Sequence, residues 1–296
     1  MQNLRKKYHF WRFYFTTRNL RKNFPFYKIK SIEETIEDAI VNRKSISRFG
    51  DGEFRLLLEN SNIGFQSGSS EMTARLREVI HSKLENHMVA LPETFSVKNN
   101  LNWRVKYWWL NFINNIGVQV VPFLNSDKTY GNAFITRFYL DYEKKEKIPR
   151  IIKNLKKIWD NQNILIVEGK YSRLGVGNDL FENSKSIKRI LCPEKNAFYS
   201  YESILQEAKK HGGDKLILIA LGPTATIMAY DLAKENFWAL DIGHIDLEYM
   251  WYLKGEREKT PVEGRLVNET EKQLSLEIPQ EFRKNYEDSI LAEIKC

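Results

Sequence analysis

Two carboxylates lie two residues apart in the stretch Ser-Arg-Phe-Gly-Asp-Gly-Glu-Phe, residues 47–54, which follows a short apolar run. Carboxylate oxygens are the ligands that hard divalent cations prefer, and a tight bend at Gly52 can direct Asp51 and Glu53 at one ion. We therefore interpret this pair as a Mg²⁺ or Mn²⁺ site that in turn holds a diphosphate, with Arg48 as a further phosphate ligand. The alternative is a solvent-exposed turn, which Asp-Gly sequences favour without any function.

A helix and a strand are predicted to position this pair. Ser31 and Glu34 form a capping box, and apolar residues then recur at helical spacing, so residues 32–43 are predicted as an amphipathic helix. Residues 45–49 are predicted as a short strand that leads into the acidic turn. In α/β proteins ligands bind beyond the strand ends, so the placement is typical of a binding site.

The middle of the chain is rich in aromatic residues. A helix over 72–84 and a buried strand over 88–91 precede an aromatic helix over 101–116. A core helix with a broad apolar face explains the latter better than a sugar-stacking surface does. Residues 134–139 resemble a strand or strand end that presents Arg137, whose guanidinium could bind phosphate or pair with an acid.

The second half predicts two strand–loop–helix units. The β-branched run 164–167 is typical of a buried parallel strand, and a glycine-rich loop, residues 168–179, and a helical stretch follow it. This is the layout of phosphate-binding sites, although it matches neither the dinucleotide fingerprint nor the Walker loop. The candidate diphosphate ligands of this loop are Lys170, Arg173, Gly175, Gly177 and Asn178.

The next unit has an apolar strand over 215–221 and a helix over 227–234, with Gly222 and Thr224 in the loop as candidate phosphate contacts. Successive units of this kind imply right-handed crossovers and a parallel sheet. The predicted fold class is therefore α/β, with a Rossmann-like, mostly parallel sheet flanked by helices.

Four titratable side chains follow the last predicted strand within eight positions: Asp241, His244, Asp246 and Glu248. A single histidine there would usually be a core residue, but three surrounding acids at a strand end favour a site. Asp246 or Glu248 could act as general base on a sugar hydroxyl, and His244 could orient that base or contact phosphate.

The positive charge of the chain is concentrated at its start. The net charge is +8, and residues 1–30 hold nine Lys/Arg and no acid, so the remainder is +8 − 9 = −1. Aromatic residues alternate with these cations, which suits docking to an anionic membrane surface or a partner subunit. A solvated extension packed on the body is the main alternative, and stacking on nucleic acid is not expected.

The composition also limits the class of protein. Two cysteines exclude a disulfide framework and fit a reducing cytoplasm, and no zinc site is expected. No apolar run is long enough to span a bilayer, and the basic start lacks a signal-peptide core. We expect a cytoplasmic protein, peripheral at the inner face of the membrane, with an extension over 1–30 and one domain over 31–296.

Five separated segments together resemble the bacterial GT-D-type glycosyltransferases, first known as a domain of unknown function. These segments are Arg48–Phe54, Phe65–Gln66, Leu174–Asp179, Leu221–Ala225, and Leu240–His244 through Glu248–Tyr249. The resemblance implies a Rossmann-like domain distinct from the GT-A and GT-B folds. It also implies a nucleotide-sugar donor, typically a UDP-sugar, and a divalent metal held by an Asp-x-Glu motif, here Asp51 and Glu53. Members of this family occur in adhesin glycosylation and surface-polysaccharide assembly.

The leading functional hypothesis is a metal-dependent glycosyltransferase, a hexosyltransferase that uses a UDP-sugar such as UDP-glucose. Its acceptor would be a glycan or a glycosylated protein. A metal-dependent phosphoesterase or nucleotidyltransferase needs similar groups, and a non-catalytic nucleotide- or membrane-binding scaffold would use the basic extension. The sequence leaves open the sugar, the linkage, the stereochemical outcome and whether the chain forms a homo-oligomer.

Overall fold

The computed structural model describes residues 2–22, 24–58, 62–96, 100–270 and 272–295, so Met1 and Asn23 of the predicted extension lie outside it. Within these ranges the chain forms nine strands in one sheet. The strands are β1 Lys28–Ile29, β2 Ser45–Arg48, β3 His87–Leu91, β4 Thr129–Asn132, β5 Asn163–Gly169, β6 Ser186–Cys192, β7 Leu216–Ala220, β8 Trp238–Asp241 and β9 Ile290–Glu293.

Helices cover the sheet. The α-helices are α1 Gln2–Thr16, α2 Arg18–Arg21, α3 Ile32–Val41, α4 Asp51–Leu57, α5 Ser70–Ile80, α6 Trp103–Phe112, α7 Val118–Val120, α8 Ile148–Lys156, α9 Tyr201–Gly212, α10 Pro223–Lys234, α11 Ile245–Leu253 and α12 Gln280–Glu287. Short 3₁₀ turns occupy Glu93–Phe95, Val121–Phe123, Ala133–Thr136 and Ala197–Ser200, and a π turn, Ile113–Gly117, extends α6. Among the described residues no helix is long and apolar enough to cross a membrane.

The strands run in the order β1-β4-β3-β2-β8-β7-β5-β6-β9, and every recorded strand pair in the described ranges is parallel. From β2 the chain moves outward to β3 and β4, and then crosses to β5 and β6 on the other half. Strands β7 and β8 return to the middle. The carboxyl ends therefore share one edge, with a crevice where the direction of the strand order changes. The predicted α/β class is confirmed.

The central strands explain why the sheet lies at the core. Ile164–Val167 in β5 and Leu216–Ile219 in β7 are completely buried, as expected for parallel strands with helices on both faces. Helix α10 packs against β2 and β8, and all of its residues except the last are buried. A helix that is buried on nearly every side cannot be amphipathic, so its sequence shows only a weak helical period.

The structure corrects three predicted elements. Residues 51–53 are not a turn but the first turn of α4. Residues 134–139 are not a strand, because the strand ends at Asn132, whose side chain caps the 3₁₀ turn that follows it. No helix follows the loop over 168–179, because Asn183 and Ser184 bond to nearby carbonyls and the chain passes through turns directly into β6.

The predicted extension is partly integrated into the fold. Phe24 and Tyr27 are buried in the core beside Phe95, and β1 pairs with β4. Upstream, α1 packs on α6 through Phe10, which is buried and contacts Tyr107. The folded body thus begins before residue 31, since apolar aromatic rings at 24 and 27 gain more from burial than from exposure.

Candidate active site

A cleft of about 1070 Å³ opens along the carboxyl edge of the sheet. Residues that follow each of the strands β2 to β8 line it, from Phe49 after β2 to His244 after β8. This is where α/β proteins bind their ligands, and the volume is at the upper end of ordinary ligand pockets. Of the predicted site residues, the cleft is lined by Arg48, Asp51, Gly52, Glu53, Arg137, Gly222, His244 and Asp246.

The acidic pair lies at the start of α4. Gly50 has an extended backbone and is the N-cap, so Asp51 and Glu53 occupy the first turn. Glu53 Oε2 accepts the Gly50 N–H at 2.8 Å, which is the backward bond of a capping box. Helix capping therefore explains why an acid occupies position 53, but it does not explain the acid at position 51. Asp51 has no hydrogen bond or ion pair to any described residue, although it lines the cleft.

The local charge suits a cation. Burial, and then the charges of Asp241 and Asp51, raise the pKa of Glu53 to about 7. A divalent ion at the pair would offset this repulsion and give Asp51 a partner. The described residues contain no group of three or more histidine, cysteine or acidic side chains that could hold a metal. A pair of carboxylates that leaves the other positions to water and substrate phosphate is the usual arrangement for Mg²⁺, and it fits these residues.

Arg48 fixes the crevice between β2 and β8. Its Nε donates to the Asp241 carbonyl at 2.9 Å, Nη2 to Asp241 Oδ1 at 2.7 Å, and Nη1 to Thr136 Oγ1 at 2.6 Å. Gly243 has φ +34°, and a Cβ there would lie 2.0 Å from Arg48 Nη2. Most of the donors of Arg48 are thus committed to holding strand ends together, so its main contribution is to position the acidic pair.

His244 and Glu269 form a pair inside the cleft. His244 Nε2 lies 2.6 Å from Glu269 Oε1, and Arg137 Nη2 donates to the same oxygen at 3.1 Å. Although burial opposes it, His244 and Arg137 hold the pKa of Glu269 well below its usual range. Burial and Arg137 lower the pKa of His244, so its imidazole is neutral at pH 7. With Nε2–H assigned to Glu269, Nδ1 is the acceptor nitrogen, and Arg137 Nη2 lies 3.5 Å from it, a long contact that a substrate hydroxyl would have to replace.

The other two predicted bases are structural. Asp246 is 2% exposed and forms a buried ion pair with Arg265. Glu248 is fully buried, and its Oε2 accepts the N–H groups of Tyr139 and Leu140 at 3.0 and 2.9 Å. Burial, and then Asp141, raise the pKa of Glu248 to about 7. Glu248 does not line the cleft, so the structure assigns it to holding the backbone next to Asp141.

The second half of the glycine-rich loop contacts Asp246, while Gly169, Tyr171, Ser172 and Leu174 line the cleft. The Gly175 N–H and the Asn178 side chain both donate to Asp246 Oδ1 at 2.8 Å. Arg173 is buried and donates to the carbonyls of Gly264 and Leu276, while Lys170 lies on the surface and pairs with Glu293. Gly177, with φ +73°, lies against Phe282. None of these five predicted ligands lines the cleft.

The loop after β7 does reach the cleft. Gly222 has φ +55°, and a Cβ there would lie 2.4 Å from Phe65 Cε2, so only glycine lets the half-buried Phe65 ring lie on this backbone. Thr224, in contrast, is fully buried and contacts Gln66. Of the two predicted contacts in this loop, the structure brings only Gly222 to the site.

Sequence reasoning missed several cleft residues. Glu269 and Lys259 come from the segment after α11, Trp108 comes from α6, and Asp141 comes from the segment that precedes α8. Trp108 lay in the helix interpreted as core, and its neighbour Trp109 is indeed 8% exposed. The other residues carried no local signal, because they are isolated charged positions in polar stretches.

A parallel sheet with an acidic pair and a His–Glu pair in a cleft at its carboxyl edge has its candidate ligand site where α/β proteins bind their ligands. The family model "Glycosyltransferase GT-D fold" matches residues 46–270. The chain belongs to this family, which confirms the predicted resemblance and the glycosyltransferase class.

Two curated relatives match part of their own length. "Glycosyltransferase GlyD" of Streptococcus pneumoniae serotype 4 (strain ATCC BAA-334 / TIGR4) is 38% identical over 248 residues, which are 81% of this chain and 29% of that protein. "Probable glycosyl transferase Gly" of Streptococcus gordonii is 38% identical over 234 residues, 78% of this chain and 34% of that protein. The chain therefore spans about a third of the length of the relatives that it matches.

Solved structures match this chain over almost its full length. One, described as "The highly conserved domain of unknown function 1792 has a distinct glycosyltransferase fold", has a TM-score of 0.86 and 34% identity over 93% of this chain and 98% of that chain. Another, "A New Glycosyltransferase (DUF1792) from Streptococcus sanguinis", has a TM-score of 0.84 and 36% identity over 91% of this chain and 100% of that chain. The predicted GT-D fold is confirmed.

Proposed function

We propose that the chain is a metal-dependent hexosyltransferase that uses a nucleotide-sugar donor, a UDP-sugar such as UDP-glucose, and a glycan or glycosylated acceptor. The observation that carries the proposal is Asp51, a carboxylate that lines the cleft next to Glu53 without a partner among the described residues. Membership of the GT-D family supports the reaction class. A role in bacterial surface-polysaccharide or glycoprotein assembly is part of the same proposal.

Asp51 and Glu53 would hold Mn²⁺ or Mg²⁺, and the ion when bound would supply positive charge to the leaving diphosphate. The described cleft contains other cations for the same anion: Arg137 is half-buried beside His244, and Lys259 lies 3.8 Å from Glu269. Fixed charges in a partly dry cleft stabilise developing negative charge more strongly than water does. The Phe65 ring on the Gly222 backbone offers a flat apolar surface for the nucleobase.

His244 is the proposed general base. Of the three predicted bases, His244 lines the cleft and is committed neither to a buried ion pair nor to backbone N–H groups, and its Nδ1 has only a long contact, 3.5 Å, with Arg137 Nη2. Glu269 orients the ring and stabilises the imidazolium that forms when Nδ1 takes the acceptor proton. The sequence identified His244 but assigned the proton to a neighbouring carboxylate, and Asp246 and Glu248 have other roles.

The test is metal-dependent turnover of a panel of nucleotide-sugars by wild type, Asp51→Asn and Glu53→Gln. We expect both variants to lose at least about 100-fold in transfer or donor hydrolysis, because each removes one of two charged metal ligands. Glu34→Gln is the matched control, since Glu34 caps α3 as Glu53 caps α4 but lies outside the cleft. Full activity of both variants in chelator would refute the proposal.

The same panel separates the alternative functions. A phosphoesterase or nucleotidyltransferase would cleave a simple nucleotide without any sugar, and a scaffold would bind nucleotide without turnover.

For the extension, we propose peripheral attachment at the inner face of the membrane in the cytoplasm. Trp11 and Phe15 of α1 are 53% and 65% exposed, and their rings stack on each other. Loss of binding to anionic vesicles in Trp11→Ser/Phe15→Ser would support this, and unchanged binding would exclude it.

A further inference from the structure

One wall of the cleft is formed by α6 and the segment over residues 140–143. Asn102 joins the two: its N–H donates to the Asp141 carbonyl and its side chain donates to the Leu140 carbonyl, both at 2.8 Å. The same side chain caps α6 by accepting the N–H groups of Arg104 and Val105. The start of α6 is therefore fixed beside Asp141, and no residue of the acidic corner at α4 belongs to this wall.

Trp108 supplies an aromatic surface on this wall. Its indole is 42% exposed and lines the cleft, whereas the next residue, Trp109, is 8% exposed and packs on Phe95. Trp108 rests on Phe112 with an angle of 21° between the rings and contacts the edge of Trp109. The ring is thus held by aromatic neighbours while much of its surface remains open to the cleft, an arrangement that suits stacking.

Asp141 supplies a hydrogen-bond acceptor on the same wall. Its side chain lines the cleft and makes no hydrogen bond or ion pair with any described residue. Glu248 holds the two preceding backbone N–H groups, so the position of Asp141 is fixed from behind. Arg137 and Lys259 act on this carboxylate through space, but none of the described side chains donates a hydrogen bond to it, and a ligand with several hydroxyl donors would supply those bonds.

We propose that this wall is the acceptor subsite of the transferase and that it takes a neutral pyranose. Trp108 stacks on the sugar ring and Asp141 accepts hydrogen bonds from its hydroxyl groups. The inference rests on the proposed function, because the donor diphosphate is assigned to other residues of the cleft, Asp51 and Glu53. The cleft of about 1070 Å³ exceeds the usual space for one small ligand and leaves room for both substrates.

Binding of saccharides tests this directly and without turnover. Saturation-transfer NMR would measure the affinity of methyl glucosides, methyl galactosides, N-acetylglucosamine and maltose for the full chain. We expect Trp108→Ala to raise Kd about tenfold and Trp108→Phe by no more than about threefold, since a ring remains. Tyr199→Ala is the control, because Tyr199 is an aromatic residue that is 68% exposed and lies outside the cleft.

Asp141→Asn tests the polar half of the subsite. It keeps the shape but loses the charge, so the neutral sugars should bind about tenfold more weakly, and glucuronate should bind better than to wild type. Absence of saccharide binding to wild type, or wild-type affinity in both Trp108→Ala and Asp141→Asn, would overturn the inference. If Trp108-dependent binding is found but no nucleotide-sugar is turned over, the proposed function fails while the saccharide site stands.

Discussion

The substitution Asp51→Asn tests whether Asp51 is a metal ligand or a structural acid. The substitution keeps the size of the side chain and removes one negative charge from the first turn of α4. No described residue pairs with Asp51, so no contact within the protein is lost. The helix dipole favours an acid at this position by about 0.3–1 kcal/mol, but the charge of Asp51 also repels Glu53. These effects oppose each other, so the stability of the metal-free protein should change by less than about 1 kcal/mol.

The stabilisation that bound ligands give to the protein should change far more in this variant than the stability of the metal-free protein. A ligand at 100 times its Kd stabilises the native state by about 2.7 kcal/mol, which corresponds to roughly 5 °C in Tm for a chain of this size. We therefore expect Mn²⁺ with UDP to raise the Tm of wild type by about that amount. In Asp51→Asn the same additions should produce a shift of about 1 °C or less, because a charged oxygen ligand is missing.

The assay is thermal unfolding by calorimetry with chelator, with Mn²⁺, and with Mn²⁺ plus UDP. Glu33→Gln is the control, since it removes an acid from the first turn of α3 outside the cleft and should retain the full shift. A variant at position 51 that kept the wild-type shift would refute the metal assignment. A loss of several kcal/mol without any ligand would instead show that Asp51 is structural.

Three further predictions concern the framework of the site. Burial, and secondarily Lys128, lower the pKa of His87 from 6.5 to about 3. The free energy of unfolding should therefore be constant above pH 6.5 and decrease as the pH drops under 6.5, by about 2 kcal/mol at pH 5. His87→Gln should abolish this loss. Gly222→Ala should cost about 1–3 kcal/mol and weaken UDP binding, because its Cβ would displace Phe65. Arg189→Met should cost about 3–5 kcal/mol, because it leaves Glu168 charged and fully buried.

Each of these three predictions has a matched control variant, and the free energy of unfolding of all variants is measured by denaturant unfolding. His81→Gln, on the surface, should keep the wild-type pH slope, and an unchanged slope in His87→Gln would contradict the assignment. Gly213 has φ +46° with nothing within 4 Å of an added Cβ, so Gly213→Ala measures backbone strain alone; equal losses at the two glycines would exclude the clash. Lys209→Met removes an exposed pair with Glu235 and should cost less than about 1 kcal/mol. A loss that small in Arg189→Met would refute the buried-pair argument.

Sequence reasoning predicted the fold well where burial leaves a local pattern. The apolar runs that became β5 and β7 have no other stable place than the middle of a parallel sheet. The helix between β5 and β6 was predicted wrongly, because glycine-rich loops that precede helices and those that do not look alike in sequence. Backbones with φ of +49° at Arg173 and +74° at Gly175 reflect tertiary contacts that the sequence does not show.

The site was predictable only where its residues are neighbours in the chain. Asp51 and Glu53 lie within one helical turn, so their spacing alone places them together. Asp141 and Trp108 line the same cleft because Asn102 joins their two segments through backbone and side-chain bonds. No periodicity encodes such a contact, and the aromatic helix gave the same signal for its buried and its exposed tryptophan.

The acid cluster after β8 shows why residue type alone misassigned the base. Asp246 and Glu248 are acids at a strand end, as a catalytic base would be, but buried carboxylates persist only with partners. Asp246 obtains them from Arg265 and the Gly175 N–H, and one oxygen of Glu248 obtains them from two backbone N–H groups, so these acids stabilise loops. The carboxylates of the described cleft without such partners are Asp51, Asp141, Glu194 and Glu258, and of these Asp51 is the one next to a second buried acid, Glu53. The partners of an acid, rather than its position after a strand, therefore decide between a structural and a chemical role, and only the folded chain reveals them.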